Sequence, residues 1–213
     1  MTSESESEAG AGASGEGLVV LPAPDFEGQI SLGKTLSARR SLREFKAGAV
    51  SLAEVSQLLW AAQGVTSDKG HRTTPSAGAL YPLEIYLLAG NVEGLEQGVY
   101  HYQPKEHAIL RIARDDLRLE LAKAAISQDW MAHAPLILVI TAIYERTNSK
   151  YGDRTIRYVN MEVGAASQNV ALQGEALGLG TVMVGAFYEM KVQSLLELPE
   201  DVIPLCLLPV GKK

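Results

Sequence analysis

Hydrophobic residues recur along the chain in two patterns: a helical spacing, which predicts α-helices, and short apolar runs, which predict β-strands. Between Ser51 and Gly64 the apolar positions fall on one face of a helix. Ser51 with Glu54 three residues later is a capping-box pattern, and Gly64 is a natural helix end. The pattern therefore predicts a helix with defined ends, and its buried face carries Leu52, Val55, Leu58, Leu59 and Ala62.

The same criteria predict the other regular elements. Helices are expected over 31–40, 117–126, 154–177 and 191–197, and strands over 83–89, 98–103, 107–112, 135–144, 181–184 and 203–210. The run 135–144 is the most apolar and is typical of a central strand buried on both faces. The order of elements predicts an α+β fold, in which a mixed sheet is flanked by helices.

Composition adds limits on domains and compartment. Residues 1–17 are acidic and rich in Gly, Ala and Ser, which predicts a disordered tail before a single domain over 18–213. The N-terminus lacks the pattern of a signal peptide, and no apolar run approaches the ~18 residues of a membrane span. The single cysteine, Cys206, excludes an intrachain disulfide and is interpreted as a core residue rather than a nucleophile. A cytoplasmic protein is expected.

The net charge of −6 and the pI of about 5.3 make a broad basic surface for nucleic acid or an anionic membrane unexpected. An anionic ligand must therefore be held by a local group of cations. One literal phosphate motif, GxxxxGK[ST], spans Gly28 to Thr35. A P-loop needs a hydrophobic strand directly before its first glycine, whereas Pro24 and two acidic residues precede this one, so coincidence is the favoured interpretation. Gly178 and Gly180 resemble part of a dinucleotide fingerprint, but they close a helix, which favours a helix cap.

Three other segments carry candidate chemistry. Three guanidiniums and a hydroxyl lie within 39–43, which suits bidentate phosphate binding or, alternatively, a solvated basic helix end. The long segment 66–82 holds small residues between Pro75 and Pro82, which suits close backbone contact with a flat ligand or a plain connection. The strand that ends at Val184–Gly185 could present a backbone group to a ring system, although many strands end in glycine.

Taken in order, these segments resemble the nitroreductase family, specifically its SagB-type branch, which includes azoline dehydrogenases. The resemblance runs from about Thr35 to Gly211. Its most specific motifs are RRSLREF (39–45), QLLWAAQG (57–64), RTTPSAGALYPLEIY (72–86), GVYHY (98–102), KYGDRTIRY (150–158) and MEVGAASQNVALQGEALGLGTVMVGAF (161–187).

The resemblance implies an interlocked homodimer with two FMN molecules at the subunit interface, each touched by both chains, and helix 161–177 at the dimer core. The FMN phosphate and ribityl chain would be held by Arg39, Arg40, Ser41 and Arg43. The loop residues that would reach the flavin, from the partner chain, are Pro75, Ser76, Ala77 and Gly78. Gln128 would face the pyrimidine edge, and Val184 and Gly185 would lie against the isoalloxazine. Lys212 is a further candidate for the phosphate, although the chain ends sooner than is usual in the family.

Lys150 and Tyr151 match a Lys–Tyr pair that looks catalytic in the azoline dehydrogenases; the alternative is a surface lysine beside a helix-entry tyrosine. Removing hydride to a flavin requires a base for the accompanying proton, which either side chain could supply. The leading hypothesis is NAD(P)H-dependent reduction of nitro or quinone compounds through FMN, by a ping-pong mechanism. The alternatives are FMN-dependent oxidation of azoline-type heterocycles in a small-molecule or peptide substrate, a non-catalytic flavin-binding protein, and a P-loop hydrolase.

Overall fold

The computed structural model describes residues 17–126 and 128–213, and the predicted tail lies outside them except for Gly17. The strands are β1 Leu18–Val20, β2 Val50–Ser51, β3 Leu83–Ala89, β4 Val92–Glu93, β5 Gly98–Gln103, β6 Ala108–Ala113, β7 Leu136–Ile143, β8 Leu179–Thr181 and β9 Val202–Lys212. The α-helices are α1 Leu32–Ala38, α2 Leu52–Gln63, α3 Arg118–Ala124, α4 Tyr144–Tyr151, α5 Thr155–Ala176 and α6 Glu189–Leu195. Short 3₁₀ turns cover Ala77–Ala79, Asp129–His133 and Gly152–Arg154.

A seven-stranded sheet in the order β1-β6-β5-β3-β7-β9-β8 forms the centre of the molecule. Each neighbouring pair in it is antiparallel. Among the described residues, parallel pairing is confined to β2 with β4 and to a bridge between Ser41 and Thr181. The predicted α+β class is confirmed, and the parallel part of the expected mixed sheet is small.

The sheet is covered on both faces because its strands alternate between two apolar clusters. On β3, Ile85 and Leu87 pack in the cluster that contains α2 and α5, whereas Tyr86 and Leu88 pack in the cluster that contains α3 and α6. Alternating side chains of a strand point to opposite faces, so a strand that is apolar at every position needs helices on both sides. The prediction of a fully buried central strand is confirmed by β7, which is buried from Leu136 to Ala142.

The helix ends predicted for α2 are confirmed. The Ser51 hydroxyl accepts a hydrogen bond from the Glu54 N–H at 3.2 Å, and the Glu54 carboxylate accepts one from the Ser51 N–H at 2.8 Å. Gly64 follows as the C-cap. The two orphan donors of the first turn are thereby paired, as a capping box requires.

The main differences from the predicted elements lie on either side of α5. Helix α4 was not predicted, because it follows β7 directly and its N-cap residue, Ile143, provides no side-chain cap. The strand predicted over 181–184 ends at Thr181 instead, and Val184 is retained only as a bridge to Leu207. Within this strand Gly180 leaves room for Leu42, whose Cδ2 would lie 2.3 Å from a Cβ at that position.

The structure also bears on the sequence predictions for Cys206 and for membrane-spanning segments. Cys206 is buried, and burial raises the pKa of its thiol, so it is the core residue that the sequence predicted. Within the part of the chain that the structure describes, no helix is long and apolar enough to cross a membrane.

Candidate functional site

The loop from Pro75 to Gly78 lies in the connection between α2 and β3. The backbone is unusual from Gly78 to Tyr81. Gly78 has a φ of 62°, and the non-glycine residues Ala79 and Tyr81 have φ values of 56° and 46°. Left-handed backbone costs a residue with a Cβ roughly 1–2 kcal/mol, so such a loop persists only where its surroundings hold it. The Ser76 hydroxyl does part of this by accepting a hydrogen bond from the Tyr81 N–H at 2.9 Å.

Lys150 and Tyr151, at the end of α4, lie directly against this loop. A Cβ built on Gly78 would be 2.9 Å from the Tyr151 hydroxyl oxygen and 3.1 Å from the Lys150 Nζ. Tyr151 packs edge-on against Tyr158 of α5, with ring centroids 5.0 Å apart. Two motifs that the sequence identified separately are therefore brought together within one chain.

A buried carboxylate that sequence reasoning missed lies beneath the same loop. Glu162 of α5 accepts a hydrogen bond from the Ala77 N–H at 2.9 Å. Together with Pro75, Ser76, Tyr158, Met161 and Ala165, these two residues line a cavity of about 290 Å³. Glu162 stands in an ordinary helical stretch of the sequence, so only its distance from the loop in space distinguishes it.

The arginine segment lies elsewhere on the surface, at the end of α1. Arg39 is the C-cap of α1 and is half-buried, whereas Ser41 and Arg43 are exposed. Among the described residues, neither Arg39 nor Arg43 has a side-chain hydrogen bond or ion pair. The Arg40 guanidinium is used differently, because it donates to the Ser37 and Arg39 carbonyls at 2.9 and 2.8 Å.

A second cavity, of about 230 Å³, opens beside this segment. Its lining residues are Arg39, Ser41, Ser167, Gln168, Ala171, Thr181, Val182, Met183 and Leu208. The buried Thr181 hydroxyl has no hydrogen-bond partner among the described residues. The cavity therefore contains a guanidinium and a hydroxyl that can form further hydrogen bonds, which suits an anionic or polar ligand.

The turn after Val184 presents free backbone to solvent. The Val184 N–H and C=O are both paired with Leu207, at 2.9 Å each, whereas the Gly185 N–H has no partner among the described residues. No atom lies within 4 Å of a Cβ built on Gly185. The Gln128 amide donates to the Ala125 and Ala186 carbonyls at 3.0 and 3.2 Å, which places Gln128 next to this turn, and its own oxygen has no partner among the described residues. Of the two predicted strand-end residues, Gly185 is thus the one with a donor to offer.

Lys212 is placed differently from the arginines. Its Nζ forms an ion pair with the Glu54 carboxylate at 2.7 Å. The pKa of Glu54 is lowered because the hydrogen bonds from Lys212 and Ser51 outweigh the effect of burial. Lys212 therefore already has a charge partner inside the protein.

The alternative phosphate motif lacks the geometry of a P-loop. The stretch 21–27, directly before Gly28, forms no strand, and Gly33, Lys34 and Thr35 lie inside α1. The Thr35 hydroxyl donates to the Leu32 carbonyl at 2.8 Å, as in an ordinary helix. Within 17–126 and 128–213, no group of His, Cys, Asp or Glu could hold a metal ion.

Comparison with known proteins assigns this arrangement to a family. The nitroreductase family model matches residues 36–212, which include both cavities and the turn at Gly185. The chain belongs to the nitroreductase family. It is 50% identical over 190 residues to a protein of Methanocaldococcus jannaschii that is named as a nitroreductase, which covers 89% of this chain and 94% of the relative.

Solved structures of this family share the fold. A nitroreductase from Ralstonia eutropha superposes with a TM-score of 0.81 at 30% identity, over 92% of this chain and 90% of the other. A chain of the Escherichia coli microcin synthetase McbBCD complex, solved with truncated pro-MccB17 bound, superposes with a TM-score of 0.70 at 28% identity, over 92% of this chain and 78% of that one. These similarities confirm the predicted resemblance to the nitroreductase family.

As a member of the nitroreductase family, the chain is an oxidoreductase with FMN as its cofactor. The residues present fit this group. Arg39, Ser41 and Arg43 offer donors that match a phosphate, and none of the three has an acidic partner among the described residues. Gly185 offers a free N–H beside open space that a flat ring could occupy.

Proposed function

We propose that this nitroreductase-family chain is an NAD(P)H-dependent FMN reductase of nitro or quinone compounds. The observation that carries the proposal is that two arginines without partners among the described residues occur with an open glycine turn, a combination that suits a phosphate and a flat ring reached from solvent. When bound, FMN accepts a hydride equivalent from one substrate and passes electrons to the next. The protein binds and orients the cofactor and controls access to it.

The residues of the arginine segment have the simplest assignment. Arg39 and Arg43 bind the phosphate through charge-assisted hydrogen bonds, and the Ser41 hydroxyl adds a donor. Arg40 supports them indirectly, because its guanidinium holds the carbonyls at the end of α1. Lys212 stays paired with Glu54 and is not assigned to the phosphate.

The ring-binding residues form the other half of the site. The Gly185 N–H donates to the flavin edge, and Val184 fixes that turn through its bridge to Leu207. Gln128 would offer its amide oxygen, which has no partner among the described residues, to the pyrimidine edge. Backbone atoms of the loop from Pro75 to Gly78 would contact the ring.

The active form is proposed to be a homodimer, with FMN between the subunits. The support is the exposed side of α5, where Ile156 and Met161 are 64% and 63% exposed beside Gly164 and Ala165. Large apolar side chains next to small residues allow a second copy to pack closely. Since the loop, Lys150 and Tyr151 contact one another within one chain, one subunit contributes all three to a given FMN.

A second function, oxidation of azoline-type heterocycles, is favoured by one contact. The Lys150 Nζ and the Tyr151 hydroxyl both lie against Gly78 of the loop that we assign to the flavin. A base at that position could take the proton that leaves as a substrate is oxidised. The similarity to the microcin synthetase chain supports this alternative.

The first experiment is the visible spectrum of the purified protein before and after anaerobic NADPH. We expect flavin absorbance near ~450 nm that bleaches on NADPH. A flavin that NADPH cannot reduce would favour the heterocycle oxidase or a non-catalytic flavin-binding protein. A protein that neither contains nor takes up FMN would contradict the assignment of the site.

Variants separate the two enzymatic proposals. Lys150→Ala and Tyr151→Phe are expected to leave bleaching by NADPH within about twofold of the wild type if the reductase assignment holds, because hydride from NADPH needs no base of this kind. Lys123→Ala, at an exposed lysine near the end of α3, is the matched control. If Lys150→Ala abolishes turnover of a thiazoline or oxazoline substrate and the Lys123→Ala control does not, the second function is favoured.

A further inference from the structure

Glu162 is buried, and it differs from the partly buried glutamates of the protein in having no cationic partner among the described residues. Glu54 pairs with Lys212, Glu84 with Arg146, and Glu175 with Lys213. Glu162 is 6% exposed, and no ion pair to it is present among the described residues. A buried carboxylate without a cation is costly unless backbone or side-chain donors satisfy it.

The hydrogen bond that the Glu162 carboxylate accepts comes from the loop from Pro75 to Gly78, which we assign to the flavin. The Ala77 N–H donates to the Glu162 Oε1 at 2.9 Å, although 85 positions separate the two residues in the sequence. Burial raises the pKa of Glu162, and the hydrogen bond from the Ala77 N–H counteracts that rise. The carboxylate therefore exchanges solvation by water for contact with this loop.

The loop needs such support because its backbone is strained. Ala79 and Tyr81 hold positive φ values without being glycine. On the side of α4, the Arg146 guanidinium donates to the Tyr81 carbonyl at 2.9 Å. On the side of α5, Glu162 holds Ala77. The segment from Ala77 to Tyr81, which contains both strained residues, is thus held at its two ends by side chains of different helices.

We propose that Glu162 is a positioning residue, which holds the loop from Pro75 to Gly78 in its flavin-contacting conformation by accepting the Ala77 N–H. The proposal rests on the proposed function, in which this loop contacts FMN. Glu162 acts through the length of its side chain, which brings an acceptor oxygen to the loop from the interior. Its charge is not required for this role.

Two substitutions separate length from charge. Glu162→Asp keeps the carboxylate but withdraws it by one methylene, so the hydrogen bond to Ala77 is lost. Glu162→Gln removes the charge but keeps an acceptor oxygen at the same reach. Glu175→Gln, at a partly buried carboxylate on the same helix and away from the loop, is the matched control.

The first measurement is amide hydrogen exchange of peptides spanning 73–81, on the full-length protein as purified and after saturation with FMN. We expect exchange about tenfold faster in Glu162→Asp, equivalent to about 1.4 kcal/mol of lost protection, and less than about threefold faster in Glu162→Gln and the control. The FMN dissociation constant, measured from free flavin after ultrafiltration, should follow the same order.

Two results would overturn the proposal. Unchanged loop exchange in Glu162→Asp would show that Glu162 does not hold the loop. A severe Glu162→Gln with a mild Glu162→Asp would assign the effect to charge or proton transfer instead. Because exchange reports on the loop even in a protein without flavin, failure of the FMN assignment would be recognised separately.

Discussion

The loop cluster, defined here as residues 75–81 with Lys150, Tyr151 and Glu162, and the arginine segment 39–43 are organised in opposite ways. In the loop cluster the protein itself satisfies the polar groups, through Glu162 at Ala77 and Arg146 at Tyr81. In the arginine segment, the guanidiniums of Arg39 and Arg43 have no partner among the described residues. One half of the site is preformed, and the other has unused donors.

The difference indicates which interactions shape the protein and which bind the ligand. The hydrogen bonds that are made within the chain hold the loop cluster in its strained backbone conformation. Removing one of them should therefore change the conformation of the loop. Unpaired guanidiniums contribute little to the free energy of folding. They contribute to the free energy of binding instead, because they form charge-assisted hydrogen bonds when an anion binds. Substitutions in the two regions should therefore separate binding from stability.

The largest effect is expected for the double substitution Arg39→Ala with Arg43→Ala. Each charge-assisted hydrogen bond contributes roughly 1.5–3 kcal/mol, so we expect the FMN dissociation constant to rise by about 100-fold or more. The melting temperature of the FMN-free protein should change little. Isothermal titration of FMN into the FMN-free protein, at two salt concentrations, measures both the loss and its electrostatic origin.

Lys212→Ala is the control for that experiment, because Lys212 is a nearby cation that already has a partner. Its FMN affinity should stay within about threefold of the wild type. Equal losses in the two variants would contradict the distinction between paired and unpaired cations.

A substitution of intermediate effect tests the preformed half. Gly78→Val places a Cβ against the Tyr151 hydroxyl and the Lys150 Nζ at a φ of 62°. We expect a loss of roughly 2 kcal/mol in the free energy of unfolding, because both strain and crowding increase. Urea denaturation of the FMN-free protein measures this.

Gly185→Ala is its matched control in the open half, since no atom lies within 4 Å of the added Cβ. Its unfolding free energy should change by less than about 0.5 kcal/mol. A destabilised Gly185→Ala beside a stable Gly78→Val would reverse the assignment of preformed and open regions.

The smallest effect concerns the anchor on α4. Burial of Glu84 acts to raise its pKa, but the hydrogen bond from His101 and the charge of Arg146 outweigh it and lower the pKa below the ordinary value of 4.5. Glu84 therefore adds stability above pH 4.5, and this is lost as the pH falls through its lowered pKa. Glu84→Gln should be about 1 kcal/mol less stable at pH 7, with the difference shrinking toward pH 3.

Thermal melts of Glu84→Gln and the wild type across this range measure the effect. Glu96→Gln is the control, because Glu96 pairs with Arg111 but its side chain is 77% exposed. A stability difference for Glu84→Gln that is the same at pH 7 and pH 3 would show that the charge of Glu84 does not contribute to holding Arg146 of α4 against β3.

Local signals in the sequence predicted most of the fold. The capping box of α2 and the alternation of β3 depend on neighbouring residues, so they could be read directly. Helix α4 could not, because its polar sequence follows a buried strand without a cap. The contact of Gly78 with Lys150 and that of Ala77 with Glu162 arise from tertiary packing, which no local pattern encodes. The positive φ values of Ala79 and Tyr81 were equally hidden, since neither is a residue that prefers them.

The order of the sheet bears on how these molecules behave when crowded together. Its longest strands, β7 and β9, lie inside, whereas its outermost strands, β1 and β8, have three residues each. An exposed strand edge is a template on which another chain can add hydrogen bonds and begin an aggregate. Edges of three residues offer few such bonds, so the fold leaves the sheet little opportunity to extend from one molecule into the next.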